Sequence, residues 1–159
     1  MILYHGSLEI VEHPQIMEAN RPLDFGTGFY TTTSLQQARR WVKLRMEQQN
    51  ATVGYINTYE YTAKKGLHTR LFRSANEAWV DFVHANRTEQ GYTHDYDIVT
   101  GPVANDNVYL SFNLYESGII SKQELIRRLK TYKLVDQLLF HTERSLETLT
   151  YTGNKEVKP

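Results

Sequence analysis

Three times along the chain a serine is followed three positions later by glutamine or glutamate: Ser34 and Gln37, Ser74 and Glu77, Ser121 and Glu124. This is the capping-box pattern, in which side chains at both positions satisfy backbone N–H groups that a helix start leaves unpaired. Each box is followed by apolar residues at helical spacing. Leu35, Ala38, Trp41, Val42 and Met46 predict an amphipathic helix over 35–48. Ala75, Ala78, Trp79, Phe82 and Val83 predict a second, and "KQELIRRLK" a third. A further helix is expected over "NDNVYLSFNLYESG", with Gly118 in a C-cap position.

The segments between these helices read as strands. "MILYHGS" opens as a strand that breaks at Gly6, "ATVGYINTYEYT" alternates with Val53, Tyr55, Tyr59 and Tyr61 on one face, and "YDIVTGPV" is a short strand stopped by Gly101 and Pro102. "VDQLLFHTE" is expected as the last strand, and "LEIVEHPQIMEANRPLDFG", with two prolines, as irregular. Strands and helices alternate without strict βαβ repetition, so the fold class is α+β rather than a doubly wound sheet. Residues 1–151 form one domain and 152–159 a polar, frayed tail.

Composition excludes several functions. The chain of 159 residues has no cysteine, which removes disulfides, thiol catalysis and cysteine-ligated zinc and suits a reducing cytosol. Its formal net charge is +0, so no global field draws it to nucleic acid or membrane. No secretory signal opens it and no apolar run approaches the ~18 residues of a membrane span, so a soluble, cytoplasmic protein is expected. Six histidines show no H-x-x-x-H or H-E-x-x-H spacing. His94, Asp95 and Asp97 in "YTHDYDI" form a conceivable cation cluster, but a polar loop entering a strand explains them better, and no metal is expected. No G-x-S-x-G elbow supports a serine triad.

"DFGTGFYTTTS", Asp24–Ser34, carries more information. It lacks the third glycine of a dinucleotide-binding Rossmann turn. Gly26 and Gly28 permit close approach of a flat ligand to the main chain, and Tyr30 offers a stacking ring. Trp41 follows eleven positions later.

With "YHGS" near the start, "FGTGFYTT" next, and an aromatic eleven positions past its tyrosine, the chain resembles the ADP-ribosyltransferase superfamily. The likeness is to the branch of diphtheria toxin and the poly(ADP-ribose) polymerases. More narrowly, it resembles small bacterial domains of that superfamily often found beside a small partner gene, as toxin–antitoxin pairs are. The resemblance implies a split antiparallel β core flanked by helices and an NAD cleft. It implies that His5 binds a ribose hydroxyl, that the Gly6 backbone holds the nicotinamide carboxamide, and that Ser7 adds a polar contact. Tyr30 would stack on one face of the nicotinamide and Trp41 on the other, with Gly28 lining the site. The family's catalytic glutamate aligns with Gln137, and its serine three residues before the second aromatic is Ala38 here.

Glu143 shares a strand face with Gln137 if the strand is extended, but six residues separate them by about 20 Å. Gln137 is therefore taken as the third motif residue. Glutamine keeps a hydrogen bond to the ribose 2′-hydroxyl and loses the charge that stabilises an oxocarbenium-like cation. The expected function is NAD-dependent mono-ADP-ribosyl transfer to a protein or nucleic-acid acceptor, by an intracellular bacterial toxin with a small antitoxin partner. The alternative is a catalytically silent domain that binds NAD, ADP-ribose or a partner protein. Arg127, Arg128 and Lys130 are candidates for an acceptor surface, and Asn105 and Asp106 for the cleft edge.

Overall fold

A computed structural model describes residues 1–18, 24–103 and 106–159; Asn105 and the Asp106 side chain lie outside the described set. The described residues form an α+β domain of seven strands and five helices in the order β1 (Ile2–Ser7), β2 (Phe29–Thr32), α1 (Leu35–Gln49), β3 (Gly54–Tyr61), β4 (Thr69–Leu71), α2 (Glu77–Thr88), β5 (Ile98–Pro102), α3 (Asp106–Glu116), α4 (Lys122–Leu129), β6 (Asp136–Phe140), α5 (Glu143–Leu146) and β7 (Leu149–Val157).

All seven strands belong to one sheet, ordered β4-β5-β6-β2-β1-β3-β7. Only the β4–β5 pair is parallel. β1 pairs with β3 at six positions, from Ile2↔Glu60 to Ser7↔Tyr55, but with β2 at one position, Tyr4↔Thr32. The sheet is therefore two halves joined at a narrow waist, and that waist is the only sense in which the core is split.

Period-two alternation sends the side chains of each strand to opposite faces. On one face α1 lays Ala38, Val42 and Met46 over Ile56 and Val157. Farther along the same face, α2, α3 and α4 contribute Trp79, Phe112 and Leu125 to a cluster with Phe25, Val99 and Leu139. The other face holds Leu3, Phe29, Tyr59, Ile98, Leu138 and Phe140, covered in part by Leu146 of α5. Burying each such side chain contributes about 1.5–3 kcal/mol. Trp79 is fully buried, and its indole N–H donates to Pro102 O at 3.2 Å, so the polar edge of the ring is not orphaned.

At two of the three expected boxes the serine half forms: Ser34 accepts from Gln37 N, and Ser121 from Glu124 N, while the Glu124 carboxylate pairs with Arg127 and Arg128. The second helix instead starts at Asn76, whose side chain accepts from Trp79 N, leaving Ser74 and Ala75 outside it. β5 does not stop at Gly101 but runs through Pro102, which pairs with Asp136 at the strand end. β6 is not the last strand. It ends at Phe140, and Glu143 opens α5, so the extended-strand geometry that related Glu143 to Gln137 does not exist. The expected frayed tail is the second half of β7, which pairs with β3 at eight positions and buries Val157.

Candidate functional site

The site is built on the waist. Continuing the Tyr4↔Thr32 register sets Gly6 across from Tyr30, where backbone pairing has already ended. Thr32 pairs in turn with Gln137, and Gln137 with Gly101. Gly6, Tyr30 and Gln137 thus share the helix-covered face. Independent contacts agree: a Cβ on Gly6 would meet Ala38 O at 2.6 Å, a Cβ on Gly101 would meet Phe72 and Phe25, and Tyr30 packs against the cluster containing Leu139. The structure therefore brings three of the motif positions together.

His5 belongs to the opposite face, where its ring lies 4.3 Å from that of Phe29. Its Nδ1 is nevertheless 2.7 Å from Tyr30 O, spanning the gap between β1 and β2. Burial lowers the His5 pKa to about 4; the Arg45 charge adds to this and the Tyr30 hydrogen bond opposes it. The imidazole is neutral at pH 7, and donation from Nδ1 to a carbonyl leaves Nε2 as an acceptor. Tyr30 is held by its hydroxyl, which donates to Gly26 O at 2.7 Å and accepts from Phe25 N at 3.4 Å. Burial pushes its phenol above the usual tyrosine range, so it stays a neutral donor.

Gln137 is 3% exposed, and its Nε2 has no hydrogen-bond partner. An amide donor left unsatisfied in the interior costs about 1–3 kcal/mol. The adjacent Asp136 cannot substitute, because alternation turns it to the other face; partial burial raises its pKa.

The remaining expected residues are placed as follows. Ser7 is half-buried at the end of β1, and its Oγ accepts from Glu9 N at 3.2 Å. Gly28 is small for an internal reason, since a Cβ there would lie 2.5 Å from Phe140 O. Trp41 is half-buried beside the buried stripe Ala38, Val42 and Met46, three residues beyond the Ala38 carbonyl that presses on Gly6. Arg127 and Arg128 both pair with Glu124. Of the conceivable cation cluster, the Asp97 carboxylate is buried and bound by Arg144 at 2.8 and 2.6 Å, by Thr142 Oγ1 at 2.6 Å and by His68 N at 2.8 Å. Among the described residues no group of three or more His, Cys, Asp or Glu could hold a metal ion.

Sequence reasoning missed how the glycine loop is held. Three consecutive carbonyls are bonded by side chains: Phe25 O by His94 Nε2 at 3.1 Å, Gly26 O by the Tyr30 hydroxyl, and Thr27 O by His141 Nδ1 at 2.8 Å. The available signal was the position of His141, immediately after the strand that carries Gln137.

A family model described as "Protein of unknown function (DUF3990)" matches residues 1–151. No curated protein matches the chain. Among the described residues, no helix is long and apolar enough to cross a membrane.

Proposed function

The chain belongs to the DUF3990 family, and we propose that it is an NAD-dependent mono-ADP-ribosyltransferase with its nicotinamide pocket at the waist between β1 and β2. The observation that carries this reading is the buried, unpartnered Nε2 of Gln137 on the face it shares with Gly6 and Tyr30. A ribose hydroxyl oxygen accepting from that N–H would satisfy it.

In the proposed reaction the bond from the nicotinamide nitrogen to the ribose C1′ breaks, and its electron pair leaves with nicotinamide. The acceptor's lone pair forms the new bond to C1′, and the acceptor's proton goes to solvent. The Gly6 main chain would hold the carboxamide, and the rings of Tyr30 and Trp41 would bracket the nicotinamide. Neutral His5, on the face opposite Gln137, would accept a ribose O–H at Nε2 only with the ribose set in the gap between β1 and β2 that its Nδ1 already spans to Tyr30 O, a role its tautomer suits. The protein's contribution is geometry and stabilisation of the cationic transition state. Gln137 supplies orientation without charge and cannot act as a general base. Transfer of one ADP-ribose to a reactive protein or nucleic-acid nucleophile fits this equipment better than chain elongation. We further propose that the protein acts inside a bacterial cell as a toxin restrained by a small antitoxin protein.

A second reading, a silent domain that binds NAD or ADP-ribose, is favoured by the same glutamine. Incubation with labelled NAD and bacterial lysate separates the two. Transferred label and released nicotinamide, both lost in Tyr30→Ala, support the enzyme. Calorimetric binding with NAD intact after long incubation supports the binder, and neither result removes both.

A further inference from the structure

Phe25 is buried in the core cluster, but from Gly26 to Gly28 the loop has little of its own to fix it. Gly26 sits at φ +90, and a second glycine follows two residues later, so the backbone has wide conformational freedom. Its shape is set from outside by hydrogen bonds to three successive carbonyls. The middle one is accepted from Tyr30 itself, at 2.7 Å; the flanking two come from His94 and His141, on the loop before β5 and just after β6. The Tyr30 hydroxyl therefore has a fixed anchor only while the two histidines hold the carbonyls on either side of it.

We propose that His94 and His141 are positioning residues for the nucleotide site, a clamp that fixes the Tyr30 ring only while both imidazoles are uncharged. The proposal rests on the reading of Tyr30 as the stacking ring. The geometry sets the charge requirement. His94 donates from Nε2 and accepts Tyr96 N–H at Nδ1, at 3.2 Å, so a second proton would set one N–H against another. His141 donates from Nδ1, and its Nε2 is buried with no partner, so a proton there enters a site without an acceptor.

The two rings meet edge to face with centroids 4.2 Å apart, a distance at which two positive charges repel. From α2 the neighbours are uncharged: Phe82, at 5.3 Å from His94, and the Asn86 amide, whose oxygen a Cβ on Gly26 would meet at 3.0 Å. Tyr96 lies 5.3 Å from His94 and in turn touches His68. The nearby carboxylates are Asp95, exposed, and Asp97, which favours a charge on His141 but is already neutralised by Arg144 from α5. Burial outweighs both and lowers the pKa of each histidine.

The test uses the full chain and reads amide hydrogen exchange of Phe25–Tyr30, corrected for intrinsic rates, together with NAD binding by calorimetry between pH 7.5 and 4.5. In the unmodified protein, protection of these amides falls at least tenfold across that range, and NAD affinity falls with it. His94→Gln with His141→Asn offers an amide N–H where each imidazole donates; this pair keeps protection at pH 7.5 and loses the acid dependence. His94→Ala with His141→Ala loses protection at every pH while the amides of β3 keep theirs. Unchanged protection in the alanine pair, pH-independent protection in the unmodified protein, or loosening that spreads equally to β3 overturns the clamp. The exchange readout needs no nucleotide. A loop that behaves as stated in a protein that binds no NAD leaves the clamp standing and sinks the nucleotide reading, and NAD binding without the loop changes does the reverse.

Discussion

The Nδ1 of His5 lies 2.7 Å from the carbonyl oxygen of Tyr30, and this one hydrogen bond carries β1 and β2 past the point where their backbone pairing stops. His5→Ala removes it together with the ring contact to Phe29. Unfolding in urea should then show a loss of about 2 kcal/mol. His5→Asn keeps a donor where Nδ1 stands and should recover most of that loss. It has no counterpart of Nε2, so under the proposed role its NAD affinity stays as low as that of the alanine variant. Calorimetry that finds full affinity in His5→Asn would remove His5 from the nucleotide site.

Gln137 permits a two-sided substitution. Gln137→Met removes the orphaned donor at similar volume and should leave stability within about 1 kcal/mol of the parent, or raise it. Gln137→Glu places a carboxyl in the same buried position, at a cost of about 1–3 kcal/mol, and adds the charge the oxocarbenium-like state lacks. Nicotinamide release should rise at least tenfold. The gain should grow with pH, because burial holds the new carboxyl's pKa above its usual value. A folded Gln137→Glu protein with no gain at any pH would show that this position does not face the reacting ribose.

Stability should fall on the acid side through the buried histidines. His5 and His141 have pKa values lowered from 6.5 to about 4, in both cases mainly by burial, and that of His94 is also lowered. Below pH 6.5 the unfolded chain takes up protons that the folded chain refuses. The contribution of each group is complete above that pH and is lost as pH falls, for His5 and His141 towards 4. The slope is up to about 1.4 kcal/mol per pH unit for each histidine. Urea midpoints at pH 7.5, 6 and 5 should drop in that order, and the drop should be shallower in His141→Asn.

Asp97 ties the start of β5 to α5. Arg144 holds its carboxyl below the usual range, Thr142 and the His68 N–H act in the same direction, and burial opposes them. Asp97→Asn should cost about 2–3 kcal/mol, since a charged, buried acceptor of four hydrogen bonds becomes a neutral one whose amide has no acceptor. The partner Arg144 is 59% exposed, which limits the loss. For the parent, this contribution persists above the ordinary carboxylate pKa and disappears as pH falls below it. Thermal melts of the two proteins should therefore start to converge only as pH falls below the ordinary carboxylate range, and continue to do so well below it.

The first four helices and the inner strands β1, β3, β5 and β6 were legible because they carry apolar patterns with start or stop signals; the four-residue β2 behind its glycine loop and the one-turn α5, read as the end of β6, carry no such signal. α1 has Ser34 as its cap and Ala38, Val42 and Met46 as its buried stripe. β7 was not legible. Its residues "LTYTGNKEV" are mostly exposed, and it is ordered by backbone pairing with β3 rather than by an apolar face. β4 has three exposed residues and no pattern to read. At α2 two residues competed for the cap, and the chain used Asn76, whose side chain reaches Trp79 N, over Ser74. Motif order and spacing led to Gly6, Tyr30 and Gln137, which register then set on one face. His94 reads from the sequence only as a conceivable cation ligand and His141 not at all, because both bond main-chain oxygens, and a backbone acceptor leaves no mark in composition.

The similarity that assigns the family ends at residue 151, in the middle of β7, while β3 needs that strand as far as Val157. A segment cut where the similarity stops would uncover the β3 backbone from Gly54 to Thr58 and take Val157 away from α1. Bare strand edges recruit strands from other molecules. Such a shortened chain would form mixed aggregates, and its lack of activity would say nothing about the pocket. The polar last residues, the least noticeable in the chain, decide whether the β3 edge stays covered long enough for the rest to be assayed.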